Sequence, residues 1–201
     1  MLFLPTYFAP ISQYVSIFDT KKIIFEVEDN FQKQTYRNRC NIYGANGKLT
    51  LNIPIIHNGK QKTKDIRIDN SAKWQRLHFR SLAAAYNSSP FFEFYEDDLR
   101  PLYEQEQVFL LDFNIKCHEF IMTALQSEIN YSKTGEYDVD PKTKDFRNLA
   151  IAKKEPNYSF DSYFQVFNDK HGFISNLSIL DLLFMEGPST ETYLKNSELS
   201  C

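Results

Sequence analysis

A short polar segment of the chain carries side chains that are suited to binding an anion. Residues 32–39 contain three cations together with amides, a hydroxyl and a phenol, close to a predicted strand. Arginine presents a planar fork that fits a carboxylate or phosphate, and lysine presents a mobile point charge. Lys33 and Arg39 could therefore hold an anionic or sugar-like ligand that Asn38 orients by hydrogen bonds. The alternative is a solvated loop with ordinary surface charges.

Trp74 and His78 form a second candidate. Their spacing of four residues places them on one face of a predicted helix. Imidazole is the usual general acid or base near neutral pH, so His78 could transfer a proton. The neighbouring indole could stack on a sugar ring or cover a pocket. The alternative is that Trp74 anchors the core while His78 covers its edge.

The turn after the first predicted strand is a third candidate. Ligands of open α/β sheets bind beyond the carboxyl ends of the strands, and Thr6 and Tyr7 would lie there. The start of the following helix also favours an anion. The alternative is a plain connection between a strand and a helix.

Several well-defined motifs do not occur in the sequence. It contains neither a glycine-rich dinucleotide motif nor a P-loop, and no serine elbow pairs a nucleophile with a base. His57, His118 and His171 share no metal-ligand spacing. We therefore expect no metal site, and the sequence leaves any cofactor unknown.

Residues 1–70 are predicted to be rich in strands. An apolar run at 2–4 and a β-branched run at 23–27 flank a helical pattern at 11–18, which is the simplest β-α-β unit with a parallel strand pair. Asn46-Gly47 is a strong hairpin signal. It predicts a hairpin between strands at 41–43 and 49–56, and a further short strand is predicted at 66–68.

Residues 71–201 are predicted to be mainly helical. Ser71 is a plausible cap for a helix whose apolar stripe contains Trp74, Leu77, Leu82 and Ala85. The other predictions are a helix that begins at Ser89-Pro90, a helix after Asp112, a long loop at about 131–148, a strand or helical turn at 163–167, and a helix at 178–186 that stops at Gly187-Pro188.

The composition is typical of a globular protein with an aromatic core. The chain has 201 residues, of which 42% are hydrophobic and 15% aromatic, and this length suits one domain. The net charge of -3, without a basic cluster, argues against a nucleic-acid partner. We expect a single α/β domain over 1–201, with a small mixed sheet, an N-terminal β-α-β unit, a β-hairpin and a helical second half.

The cysteines and the apolar runs indicate a cytoplasmic protein. Cys40, Cys117 and Cys201 are odd in number and widely spaced, so we expect no disulfide framework. The first residues lack a cationic start and are interrupted at Pro5, which does not suit a secretory signal. No apolar run reaches the roughly 20 residues that a membrane span needs.

An ordered set of motifs over nearly the whole chain resembles the WbqC-like family, in the form common in Bacteroidetes. The resemblance is carried by Pro5-Thr6-Tyr7-Phe8-Ala9-Pro10, Tyr14, the segment 32–40, Leu51-Asn52-Ile53-Pro54-Ile55, Trp74 through His78 to Tyr86, Ser89-Pro90-Phe91-Phe92, the segment 163–167 and the segment 176–184. The family often begins Gln-Pro and has a glycine before its tyrosine, whereas this chain has Leu4-Pro5 and Ser12-Gln13-Tyr14.

The resemblance implies a role near glycan or nucleotide-sugar modification, because the family is named from surface-polysaccharide gene clusters of the O-antigen type. It matches the positions of Lys33, Asn38, Arg39 and His78. Our first hypothesis is a transferase that acts on an activated sugar or on an acyl or aminoacyl donor. The second hypothesis is a non-catalytic ligand-binding or assembly protein of a glycan-biosynthesis system.

Both hypotheses share one pocket and one class of partner. We assign catalytic roles to His78 and Lys33, and ligand-binding roles to Asn38, Arg39, Thr6, Tyr7 and Trp74. The expected partner is a small molecule such as a nucleotide sugar or an acyl donor. The sequence leaves the oligomeric state unknown.

Overall fold

The computed structural model describes residues 1–56, 58–128, 130–153 and 155–199, so His57 and Cys201 lie outside the described residues. The chain forms a mixed α/β fold. Its strands are β1 Leu2–Phe3, β2 Ile23–Phe25, β3 Arg39–Gly44, β4 Gly47–Asn52, β5 Ile55–Ile56, β6 Arg67–Ile68 and β7 Tyr131–Lys133. Its helices are α1 Ile11–Phe18, α2 Trp74–Tyr86, α3 Phe92–Glu104, α4 Leu110–Ala124, α5 Asn168–His171, α6 Ile179–Glu186 and α7 Thr190–Asn196.

A three-stranded parallel sheet contains the predicted β-α-β unit. β1 pairs in parallel with β2, and α1 connects them with all of its residues buried, which confirms the unit. The sheet has a third strand, β7, which pairs in parallel with β2. This strand lies inside the segment 131–148 that was predicted to be a loop. Its three residues, Tyr131, Ser132 and Lys133, carry no apolar pattern, so only the pairing with β2 defines them as a strand.

The predicted hairpin is confirmed in β3 and β4, which pair antiparallel from Arg39 opposite Asn52 to Gly44 opposite Gly47. Gly47 has a φ of 95°, a left-handed conformation that glycine adopts without a steric penalty. The predicted strand at 49–56 is interrupted at Pro54, because proline cannot donate a ladder hydrogen bond. Beyond it, β5 pairs antiparallel with β6.

The helices of the second half begin and end differently from several predictions. α2 begins at Trp74 rather than after Ser71, and α3 begins at Phe92 rather than at Ser89-Pro90. Ser178 does cap α6, since its Oγ accepts a hydrogen bond from the Leu180 N–H at 3.3 Å. α6 stops at Gly187-Pro188 as predicted, but a further helix, α7, follows this stop.

A large aromatic core joins the sheet, the hairpin and the helices. Among its fully buried members are Tyr7, Phe25, Tyr86, Phe113 and Phe184. The buried thiols of Cys40 and Cys117 are both free. Burial raises the pKa of each thiol, which keeps them protonated and unreactive at neutral pH. Within the described part of the chain, no helix has the length and apolar character that crossing a membrane requires.

Candidate functional site

The segment between β2 and β3 lines a groove that holds three of the predicted site residues. Lys33, Asn38 and Arg39 border it together with Phe31, Gln34 and Ile55, and its volume is about 340 Å³. The segment is fixed by backbone hydrogen bonds at both of its ends. The Phe31 N–H donates to Gln61, and the Tyr36 N–H donates to Ala150 at 2.7 Å. We call this concave surface the cationic groove.

The cationic groove has an uncompensated positive charge. Neither Asp nor Glu is among its lining residues, and within residues 1–56, 58–128, 130–153 and 155–199 neither Lys33 nor Arg39 forms an ion pair. The Nε of Arg39 is buried and has no hydrogen-bond partner among the residues that the structure describes. Asn38 is held in place by its own Nδ2–H, which donates to the Ile53 carbonyl at 3.0 Å. A ligand carrying phosphate or carboxylate would complement these groups.

His78 lies behind the hairpin in the core, and it is not among the residues that line the cationic groove. Its Nε2 is 3.1 Å from the Asn52 carbonyl oxygen, which can only accept, so the ring proton is on Nε2. Its Nδ1 then accepts from the Tyr7 hydroxyl at 3.0 Å. Burial lowers the pKa of His78 to about 4, so the imidazole is neutral at neutral pH.

Tyr7 and Trp74 belong to the same interior cluster as His78. The Tyr7 hydroxyl also lies 2.6 Å from the Tyr103 hydroxyl, which donates to it once Tyr7 donates to His78. The Trp74 ring centroid is 5.2 Å from that of His78 in an edge-to-face arrangement, and its Nε1–H donates to Asn70. We call Tyr7, Trp74, His78 and Tyr103 the buried aromatic cluster.

Thr6 lies in the predicted turn but faces the N-terminal helix. Its Oγ1 donates to the Oε1 of Gln13 at 3.3 Å, and the Gln13 Nε2 donates back to the Leu4 carbonyl. These bonds tie the turn to the first half of α1.

The predicted site residues are thus divided among the cationic groove, the buried aromatic cluster and this turn. The catalytic roles of Lys33 and His78 remain predictions.

The buried, neutral state of His78 predicts acid sensitivity. The unfolded chain binds a proton on this imidazole near the ordinary pKa of 6.5, whereas the folded chain binds it only at about 4. The free energy of unfolding therefore decreases as the pH falls below 6.5. Between pH 8 and pH 5 we expect His78 to account for about 2 kcal/mol of this decrease. Urea unfolding of the wild-type protein and of His78→Gln at both pH values measures this contribution of His78. Equal losses in the two proteins would contradict it.

The structure also assembles a set of charged and polar residues at the carboxyl ends of β1 and β2 that the site prediction did not include. We call Glu26, Asp29, Arg37, Thr63 and Asn114 the carboxyl-edge cluster. Arg37 pairs with Asp29, and the Asn114 Nδ2 donates to the carbonyls of Arg37 and Pro5. The Thr63 N–H donates to the Asp29 carbonyl. The sequence signal was present in part, since Glu26 lies inside the strand predicted at 23–27 and Asp29 follows that strand two residues later.

No group of three or more His, Cys, Asp and Glu side chains is arranged to hold a metal ion in the four stretches that the structure describes. Burial lowers the pKa of His118 to about 4, and its Nδ1 forms a hydrogen bond with the Tyr14 hydroxyl at 3.3 Å.

Comparison of the sequence with known proteins identifies the family of this chain. The model of the WbqC-like protein family matches residues 5–160, which include the cationic groove, the buried aromatic cluster and the carboxyl-edge cluster. The chain therefore belongs to the WbqC-like family. It is also similar to the uncharacterized protein Rv1507c of Mycobacterium tuberculosis, with 26% identity over an alignment of 202 positions, gaps included, that covers 85% of this chain and 87% of that protein. No solved structure matches the chain significantly.

Proposed function

We propose that the cationic groove binds an anionic, sugar-like ligand, and that the protein is a transferase or related enzyme of bacterial surface-polysaccharide biosynthesis. The observation that supports the proposal most strongly is the pair of cations, Lys33 and Arg39, that line one concave surface without an acid. A guanidinium can bind a phosphate or carboxylate through two parallel hydrogen bonds, and a nearby ammonium adds a mobile charge.

The other lining residues suit the rest of such a ligand. Phe31 and Ile55 give the groove an apolar side on which a sugar ring or a base can pack. Asn38 and Gln34 add amide groups that can donate to and accept from hydroxyls. The volume of about 340 Å³ falls at the small end of the range of roughly 300–1,000 Å³ found for ligand sites.

A transferase also needs a group that moves a proton or attacks the donor. Lys33 is the lining residue with that capacity, because an amine can act as a base or a nucleophile. In this proposal Lys33 contacts the reacting group, while Arg39 and Asn38 hold the ligand.

A second candidate function is recognition without catalysis. It is favoured by the enclosure of His78, which is 3% exposed and hydrogen-bonded at both ring nitrogens. An imidazole in that state has no free nitrogen with which to serve a ligand in the groove. A ligand-binding or assembly protein of a glycan-biosynthesis system needs only the cationic groove and no acid or base.

Binding measurements test the anion site directly. Thermal-shift screening of nucleotide sugars, nucleotides and acyl donors should give a ligand that raises the melting temperature, because a ligand of the folded state stabilises it. We expect Arg39→Ala and Lys33→Ala each to weaken binding of that ligand about tenfold or more by calorimetry. Lys21→Ala is the matched control, since Lys21 is exposed and does not line the groove.

Two results would contradict the anion site: full affinity in the Arg39→Ala variant, or an affinity loss of equal size in Lys21→Ala. Conversion of the bound ligand separates the two candidate functions. Turnover that disappears in Lys33→Ala supports the transferase, whereas binding without any consumption of the ligand supports the recognition protein.

A further inference from the structure

The carboxyl-edge cluster contains buried polar atoms that have no partner within the described parts of the chain. Arg37 is 1% exposed, and while its Nη2 pairs with Asp29, its Nε and Nη1 have no hydrogen-bond partner. Glu26 is fully buried, and its Oε2 accepts no hydrogen bond from the described residues, although the Arg147 guanidinium lies at ion-pair distance, 3.8 Å. Asp29 Oδ1, Asn114 Oδ1 and the Thr63 hydroxyl have no hydrogen-bond partner among those residues either. Leaving such groups unsatisfied costs about 1–3 kcal/mol each, so a bound molecule that forms hydrogen bonds with them would stabilise the folded chain.

Backbone and side-chain contacts hold the members of the cluster against one another. Asp29 is bonded to Arg37 through its side chain and to Thr63 through its carbonyl. Asn114 reaches across from α4 to the Arg37 carbonyl at 2.8 Å. Glu26 is fixed at its other oxygen, Oε1, which accepts from the Glu28 N–H at 2.7 Å and from the Thr134 hydroxyl at 2.9 Å. The unpartnered atoms are therefore held in fixed positions.

The position of the cluster is that of a ligand site in the sheet. Glu26 directly follows β2, and Thr134, which bonds to it, directly follows β7. The Pro5 carbonyl that Asn114 contacts lies just beyond β1. Open parallel sheets bind ligands in the crevice outside the carboxyl ends of their strands. All three strands of this sheet end at the carboxyl-edge cluster.

The charges and hydrogen-bonding types of the cluster select one class of ligand. The unpartnered donors belong to Arg37, and the unpartnered acceptors belong to Glu26, Asp29 and Asn114. A phosphate is an anion that would be repelled by two carboxylates, whereas an ammonium only donates and would be repelled by the guanidinium. A hydroxyl both donates and accepts. Neighbouring hydroxyls of a neutral polyol can accept from Arg37 and donate to the carboxylates.

A segment of the 134–147 region covers the cluster. The Arg147 Nη1 lies 3.8 Å from the Glu26 Oε2, and its guanidinium carbon is 5.1 Å from the centre of the Tyr137 ring. Arg147 is held in turn by Asp145 at 2.7 Å. Tyr137 is 49% exposed, so its ring can move aside without opening the core. A ligand would enter from this side, where Tyr137 and Arg147 form the outer layer over Glu26.

We propose that the carboxyl-edge cluster binds a neutral polyhydroxylated ligand, whose hydroxyls accept from Arg37 and donate to Glu26 and Asp29. This site goes beyond the anion site of the cationic groove and uses different atoms. It stands whether or not the groove binds an anion.

Saturation-transfer NMR with four neutral probes tests the proposal: myo-inositol and the methyl α-glycosides of glucose, galactose and mannose. At least one is expected to bind the wild-type protein. Glu26→Gln keeps the accepting Oε1 and replaces Oε2 by an NH2 group, which cannot accept a hydrogen bond from a hydroxyl. It should therefore weaken that binding at least tenfold. Glu28→Gln is the matched control, because Glu28 is already paired with Lys62 and Lys64 and should leave binding unchanged.

Thr63→Val provides an independent variant that does not depend on the folding of Glu26→Gln. The Thr63 hydroxyl is buried and unpartnered, so replacing it by a methyl group of similar shape should not lower the melting temperature. A site for hydroxyls predicts several-fold weaker binding of the same probe in this stable variant. The double variant of Lys33→Ala and Arg39→Ala should keep wild-type affinity for the probe, which separates this site from the cationic groove.

Three results would overturn the proposal. The first is the absence of binding by all four probes to the wild-type protein. The second is wild-type affinity in both Glu26→Gln and Thr63→Val. The third is competition between inorganic phosphate and the bound probe, which would show that an anion rather than a polyol occupies the cluster.

Discussion

Replacing Asp29 by alanine is expected to lower the free energy of unfolding by about 3–5 kcal/mol, because it leaves a buried guanidinium without its counter-ion. Arg37 is 1% exposed, and burial already lowers its pKa while the neighbouring Asp29 carboxylate opposes that change. The protein cannot neutralise a guanidinium by releasing its proton at neutral pH. The variant must therefore hydrate the charge by partial opening of the structure. Urea unfolding at neutral pH measures the loss.

An exposed ion pair and a double variant serve as controls for the Asp29 result. Glu191 and Lys195 form a pair at 2.6 Å on the surface of α7, so Glu191→Ala should change stability by less than about 1 kcal/mol. Combining Asp29→Ala with Arg37→Met removes both charges and should recover part of the lost stability. If Asp29→Ala cost no more than Glu191→Ala, the pair would not be buried in solution.

The elements predicted correctly are those whose signals are local. The β-α-β unit follows from two apolar runs that flank a helical pattern, and its parallel pairing follows from the connection between them. The hairpin follows from Asn46-Gly47, where the left-handed φ of Gly47 closes the turn. In each case neighbouring residues alone contain the information.

The elements missed are those that a distant partner creates. β7 is a polar segment whose strand conformation comes from pairing with β2, more than a hundred residues earlier. α7 follows a Gly-Pro pair that ordinarily marks the end of a helix, and it is stabilised by packing of its buried Leu194 in the core. Neither case can be inferred from periodicity within the segment itself.

The predicted site shows the same division. Lys33, Asn38 and Arg39 are close in sequence, and the structure brings them to one groove. The location of His78 depends on which face of α2 packs against the core. The predicted apolar stripe placed Leu77 inside, yet Leu77 is 64% exposed and the buried face contains Trp74, His78 and Leu82 at spacings of four. That spacing was visible in the sequence and indicates a core position for the imidazole.

Asp181 is expected to be a second large contributor to stability, with Asp181→Ala lowering the free energy of unfolding by about 3 kcal/mol or more. Its fully buried carboxylate accepts three hydrogen bonds, from the hydroxyls of Tyr86 at 2.7 Å and Tyr163 at 2.5 Å and from the Gln165 Nε2 at 2.8 Å. Alanine removes the acceptor of all three buried donors at once. The Tyr86 oxygen also accepts from the Tyr43 N–H, so the loss extends to the hairpin.

Asp181→Asn distinguishes the hydrogen bonds from the charge. Burial raises the pKa of Asp181, so the folded chain holds the carboxyl proton more tightly than the unfolded chain does. The contribution of Asp181 to the free energy of unfolding therefore declines as the pH rises and the carboxyl group ionises. Asparagine keeps one accepting oxygen and carries no charge, so it should cost less than alanine and should remove this decline with pH. Asp97→Ala, on the exposed face of α3, should change stability by about 0.5 kcal/mol or less. If Asp181→Ala and Asp181→Asn lost equal amounts of stability, the result would contradict this account. It would mean that the charge of Asp181, and not the hydrogen bonds that it accepts, holds α6 against the hairpin and the segment that contains Tyr163.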